Sequence, residues 1–159
     1  MGPVERQLVF IPIARNELDA VAGQTQLRDR PAHRVTPELL DELGFDSDQL
    51  EDAEYATLVL ASVAALAAHG ERLVLVAEVD VSLISPGDDL TNGACTVSRV
   101  PQAAMTCWFA DSDDVDPRAA AAAAKDLEID LAWEMDEVQA LLHGHNLLWN
   151  DVEEFRRQN

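Results

Sequence analysis

Lysine is nearly missing from this chain: Lys125 is the single one among 159 residues, against ten arginines and 30 acidic residues. The resulting formal net charge of −19 favours solubility and repels nucleic acid, whose binding needs clustered Lys and Arg to release counterions. Direct binding of DNA or RNA is therefore disfavoured. Cysteine is scarce too. Cys95 and Cys107 are too few for a disulfide scaffold and have no nearby Cys or His to suggest zinc, so they read as reduced thiols of a cytosolic protein. Their placement on either side of Pro101 leaves open a pairing across a hairpin. Long apolar runs are absent as well. The longest, Ala56 to Ala68, is broken by Thr57 and Ser62 and falls short of the roughly 20 residues a bilayer requires. Met1 to Gln7 lead into Leu8 to Ile13 without a cleavage pattern, so the expectation is a cytoplasmic protein, neither exported nor membrane-spanning. No Gly-rich phosphate loop follows a strand and no serine is flanked by glycines as a nucleophile would be, which leaves nucleotide binding and acyl transfer without support.

What the chain does have is enough apolar material to fold, 48% of its residues, in a length suited to one domain over 1–159. The periodicities predict a mixed α/β (α+β) domain with a sheet of about four or five strands and a similar number of helices. Gln7 to Ile13 reads as a buried central strand, followed by a short helix from Asn16 that Gly23 ends. Thr36, Pro37 and Glu38 read as N-cap, first helical residue and favourable acid of a helix that Gly44 stops. A longer helix is expected from Asp48, with Glu51 completing a capping box, to His69 and Gly70. Its second half is apolar almost all round, so it must be enclosed on several sides. Arg72 to Val79 predicts a second central strand in a βαβ-type unit. Ser85 to Gly93 has the composition of a surface loop. Thr96 to Val100 and Ala104 to Ala110 suggest an antiparallel pair turning at Pro101. Pro117 and six alanines, Ala119 to Ala124, predict a helix on another side of the sheet. Glu128 to Leu142 carries helical spacing through Leu131, Met135 and Val138, and Leu147 to Trp149 suggests a last strand before a frayed helical end.

The charge is unevenly placed: residues 1–36 sum to +1, 37–110 to −11 and 111–159 to −9. The basic stretch holds Arg28, Arg30 and Arg34, which either pair with the protein's own carboxylates or form an edge that binds an anion or partner. Glu78 and Asp80 share one face near the end of the second central strand, where two carboxylates could perform acid–base chemistry or hold Mg²⁺, or simply be solvated strand-end acids. His143 and His145, with Asp151 as a third ligand, could share a metal; a helix terminus favouring His is the competing reading. Asp111 and Asp113 are spaced like the start of a calcium loop, but Val115 and Asp116 stand where that loop needs a ligand and a glycine. The turn reads instead as a cap for the alanine helix, with Asp116 accepting backbone N–H groups.

The chain resembles a family of small acidic actinobacterial proteins of unknown function. The residues that carry the likeness are Leu8-Val9-Phe10-Ile11-Pro12, Val35-Thr36-Pro37, Tyr55-Ala56, Leu73-Val74-Leu75-Val76-Ala77, and Asn146-Leu147-Leu148-Trp149 with Asp151 and Glu154. Asn150 departs from the aromatic residue expected there. The resemblance implies a cytosolic actinobacterial origin and brings no mechanism, cofactor or catalytic signature. The expectation for function is a non-catalytic binding or regulatory protein that docks a basic protein partner, without a cofactor. The competing class is a small metal-dependent or carboxylate-based hydrolase using Glu78 and Asp80, or His143, His145 and Asp151.

Overall fold

The computed structural model describes residues 5–22 and 26–151. Its frame is one seven-stranded sheet: β1 (Arg6–Pro12), β2 (Leu27–His33), β3 (Leu73–Asp80), β4 (Ile84–Pro86), β5 (Ala94–Val100), β6 (Met105–Ala110) and β7 (Leu148–Asp151). The spatial order is β4-β5-β2-β1-β3-β6-β7, with every neighbouring pair antiparallel. The apolar strands β1 and β3 lie at the centre as expected, in register from Arg6 opposite Asp80 to Pro12 opposite Val74. The sheet is larger than the predicted four or five strands and contains no parallel βαβ unit. The chain between β1 and β3 makes a further strand and three helices, so β3 returns antiparallel.

Strand alternation sends the side chains to two cores. Val9 and Ile11 of β1 join Leu73, Leu75, Ala77 and Val79 of β3 on one face, with Leu18 and Val21 of helix α1 (Arg15–Ala22). Phe10, Val74 and Val76 point the other way, onto Leu58 and Ala61 of helix α3 (Leu50–His69). The first face is buried although α1 alone among the longer helices covers it, because the sheet curls and brings its two wings together over that face. Only Pro101–Ala104 join β5 to β6, yet three strands lie between them. Five residue steps reach at most about 18 Å, whereas four flat strand spacings are about 19 Å, and Gln102–Ala104 form a 3-10 turn that shortens the link further. The sheet must therefore curl here, which is why Leu27 and Val100 from one wing share a core with Met105 from the other.

That geometry overturns the hairpin expected at Pro101. Cys95 lies opposite Ala32 and Pro86, and Cys107 opposite Val76 and Asp151. Both are free, buried, and in different cores. Alternation and sheet order, neither visible in the 11 residues between them, separate the two thiols.

The helices form a second layer outside α3. Helix α2 (Pro37–Leu43) begins as predicted, the Thr36 hydroxyl accepting from Leu39 N at 3.0 Å, and ends at Gly44 with φ +72°. The expected Asp48–Glu51 capping box is absent: Gln49 occupies the N-cap position and spends its side chain on Asp46 N at 2.9 Å. Helix α3 ends at Gly70 as predicted, and its later residues are enclosed on both sides, Leu58 and Ala61 toward the sheet and Leu60, Val63 and Leu66 toward the outer helices. The alanine helix α4 (Arg118–Ala124) packs through Ala120 and Ala124 on the outside of α3, on α3's side of the sheet.

The single helix expected over 128–142 is two, α5 (Ile129–Trp133) and α6 (Asp136–Gly144). Met135 is extended between them, Asp136 and Glu137 suit the positive end of α6, and the Gln139 amide donates to Trp133 O at 2.6 Å. The break leaves Leu131, expected in the core, 57% exposed. The predicted loop 85–93 is also more ordered than expected, with edge strand β4, a 3-10 turn at Leu90–Asn92 and a buried Asn92. Gly23, Glu154 and the expected frayed end beyond 151 lie outside the described residues.

Candidate functional site

A groove of about 540 Å³ lies between α2, α3, α5 and α6. Its apolar lining comes from Leu43 and Phe45 at the end of α2, Tyr55 and Val59 of α3, Trp133 of α5 and Leu142 of α6. Two of these side chains are unusually bare for their type, Tyr55 at 60% and Leu43 at 42%. Glu42, Asn92, Asp130, Gln139 and His143 are its polar components.

Asn92 anchors the polar side. It is buried, its Nδ2 donates to Asp89 Oδ2 at 2.6 Å and to Asp130 Oδ1 at 3.0 Å, and its carbonyl meets His33 Nδ1 at 2.9 Å. Burial holds the His33 imidazole below its ordinary value, with the Asn92 carbonyl and Asp89 opposing. A neutral ring that donates from Nδ1 to the carbonyl fits this position. The Thr36 hydroxyl reaches Leu90 O at 3.3 Å, so the cap of α2 and the 3-10 turn support one another.

The helices around the groove carry acids without bases. Residues 35–70 hold eight Asp and Glu and residues 126–151 hold seven, with no Lys or Arg in either stretch. Crowding shows at Glu54, whose carboxyl is raised by partial burial and by Glu51 beside it. Of the arginines, Arg6, Arg28, Arg30 and Arg99 lie on β1, β2 and β5.

The sequence-selected residues divide. Glu78 and Asp80 do share a cleft, about 320 Å³, with Arg6, Ser82 and Arg99. Asp80 caps the following 3-10 turn, however, and hydrogen bonds from Ser82 hold its carboxyl below the usual range with a lesser contribution from Arg6. A general acid near neutrality needs the opposite shift. His143 lines the helical groove, while the backbone carbonyl of His145 accepts from Arg72 at 2.9 Å and Asp151 lies in β7 beside Cys107. The three are not brought together, and among the described residues no group of three His, Cys, Asp or Glu is placed to hold a metal.

The three arginines do not make one patch either. Arg30 pairs with Glu17 of α1, Arg34 reaches Gln7 Oε1 at 3.4 Å, and Arg28 is exposed opposite Arg99. In the acidic turn, Asp111 is taken by Arg72, the Ser112 hydroxyl bonds Asp114, and Asp116 accepts from Arg118 N at 3.0 Å as the capping reading predicts. Arg118 holds the Asp116 carboxyl down at about 2.

Sequence reasoning missed the groove and the Asn92 network. The one available signal for the groove was the acid-only composition of the helices that form it. No helix among the described residues is long and apolar enough to cross a membrane. Neither the curated proteins nor the solved structures contain a match to the chain. Residues 8–157 match the model of DUF6912, a family of unknown function, over nearly the whole length, and the chain belongs to that family.

Proposed function

We propose that this chain is a cytoplasmic, non-catalytic binding module that docks a basic protein partner in the groove between α2, α3, α5 and α6. The observation that carries the reading is an apolar, aromatic groove framed by helices whose segments, 35–70 and 126–151, hold fifteen acids and no Lys or Arg. Apolar lining supplies affinity, and one sign of charge steers a partner of the other sign. A mimic of nucleic acid would need spaced carboxylates alone, so the bare Tyr55 and Leu43 favour a partner that offers apolar groups as well. The test is binding of an immobilised amphipathic peptide of alternating lysine and leucine turns at low and high salt, with wild type and the Leu43→Ser, Tyr55→Ser variant. Binding that weakens with salt and is lost in the variant supports the reading; no binding, or binding indifferent to the variant, overturns it.

The hydrolase reading retains one supporting observation, the cleft that Glu78 and Asp80 share with Arg6 and Arg99. The lowered Asp80 carboxyl makes it the weaker of the two.

A further inference from the structure

We infer that the helical groove receives an arginine side chain of the partner, next to an apolar residue, with Asp130 as its carboxylate; this deepens the binding reading above and rests on it. Asp130 is exposed, takes one hydrogen bond from the neutral Asn92 amide, and forms no ion pair among the described residues. It is nevertheless held in place. Asn92 is buried and its Nδ2 bonds two carboxylates, while its carbonyl is fastened to buried His33. A carboxylate fixed at one oxygen keeps its other oxygen for an incoming donor.

The surroundings select among cations. Phe45, Tyr55 and Trp133 line the same groove, and an arginine stacks its plane on aromatic faces while forking onto a carboxylate. Gln139 donates to Trp133 O through its Nε2, which leaves its Oε1 as a further acceptor. Lysine, a compact and strongly hydrated charge, gains less from such walls. No cation of the flanking segments competes, since residues 35–70 and 126–151 contain none. Leu43, Val59 and Leu142 continue the lining beyond the rings, which calls for an apolar neighbour on the same partner segment.

The experiment titrates isotopically labelled protein with three capped pentapeptides, each with leucine on both sides of a central arginine, lysine or citrulline, and follows amide and indole resonances. Citrulline keeps arginine's shape and drops its charge. The arginine peptide should shift Trp133 and its neighbours in α5, and the lysine and citrulline peptides should bind about tenfold more weakly or worse. Asp130→Asn, checked for an otherwise unchanged spectrum, should reduce the arginine peptide to the citrulline level. Equal binding of arginine and citrulline peptides, or of arginine and lysine peptides, overturns the inference while leaving an apolar docking groove standing. Absence of groove shifts with these peptides and with the lysine–leucine peptide overturns both.

Discussion

Arg72 and Asp111 meet inside the protein as a two-pronged ion pair, Nε to Oδ2 at 3.0 Å and Nη2 to Oδ1, with the arginine side chain 2% and the aspartate 10% exposed. The same Nη2 donates to His145 O at 2.9 Å, so one guanidinium ties the start of β3, the acidic turn and the end of α6.

Breaking that pair from one side leaves a charge buried without its partner. Asp111→Asn and Arg72→Met should each cost about 3–5 kcal/mol in denaturant unfolding. The double replacement by Met and Leu should cost clearly less than the sum of the single changes, because no orphaned charge remains.

Gly93 and Gly44 share φ +72° but not their surroundings. A Cβ on Gly44 meets nothing within 4 Å, whereas on Gly93 it would fall 2.0 Å from Arg34 O. Gly44→Ala should lose about 1–2 kcal/mol, the ordinary cost of a left-handed alanine. Gly93→Ala should lose several times more, or fail to fold, when thermal unfolding of the two variants is compared.

Thr36→Ala removes the hydroxyl that caps α2 and bonds Leu90 O. A loss of about 1–2 kcal/mol is expected in denaturant unfolding, with Thr36→Ser retaining most of the stability.

His33 gives stability a pH dependence of definite sign. Its folded pKa lies below the ordinary 6.5, so the unfolded chain binds the extra proton first as pH falls. Stability from this residue is complete above pH 6.5 and declines below it, until the folded ring also titrates. His33→Gln should flatten the slope between pH 7.5 and 5.5, about a unit to either side of the ordinary value, and a wild-type slope that survives the substitution would rule the residue out.

The buried thiols should neither pair nor react readily. Burial raises Cys95 to about 11 and also pushes Cys107 up, which suppresses the reactive thiolate. A thiol reagent should label native protein slowly and both cysteines quickly in guanidinium, and mild oxidant should leave electrophoretic mobility unchanged.

Legibility tracked the range of the interactions. Thr36–Pro37, Gly44 and Gly70 were readable because a cap or terminator acts through backbone groups within four residues. The split between Trp133 and Asp136 was hidden, since helical spacing continues unbroken through Leu131 and Met135 and does not show that Met135 is extended or that the Gln139 side chain bonds Trp133 O. Glu78 and Asp80 were correctly placed on one strand end, but the Ser82 bond that commits Asp80 to a cap was not foreseen. His143 and His145 looked paired in one dimension, and the end of α6 sends them to different neighbours.

The sequence by itself determined the two central strands, the long enclosed helix and the uneven charge, because each follows from periodicity or composition over a few turns of chain. Tertiary structure alone decided where the acids converge: it set four helices, with no Lys or Arg in their own segments, around one groove. It also moved Cys95 and Cys107 apart, through a curled sheet whose strand order depends on contacts across the whole chain.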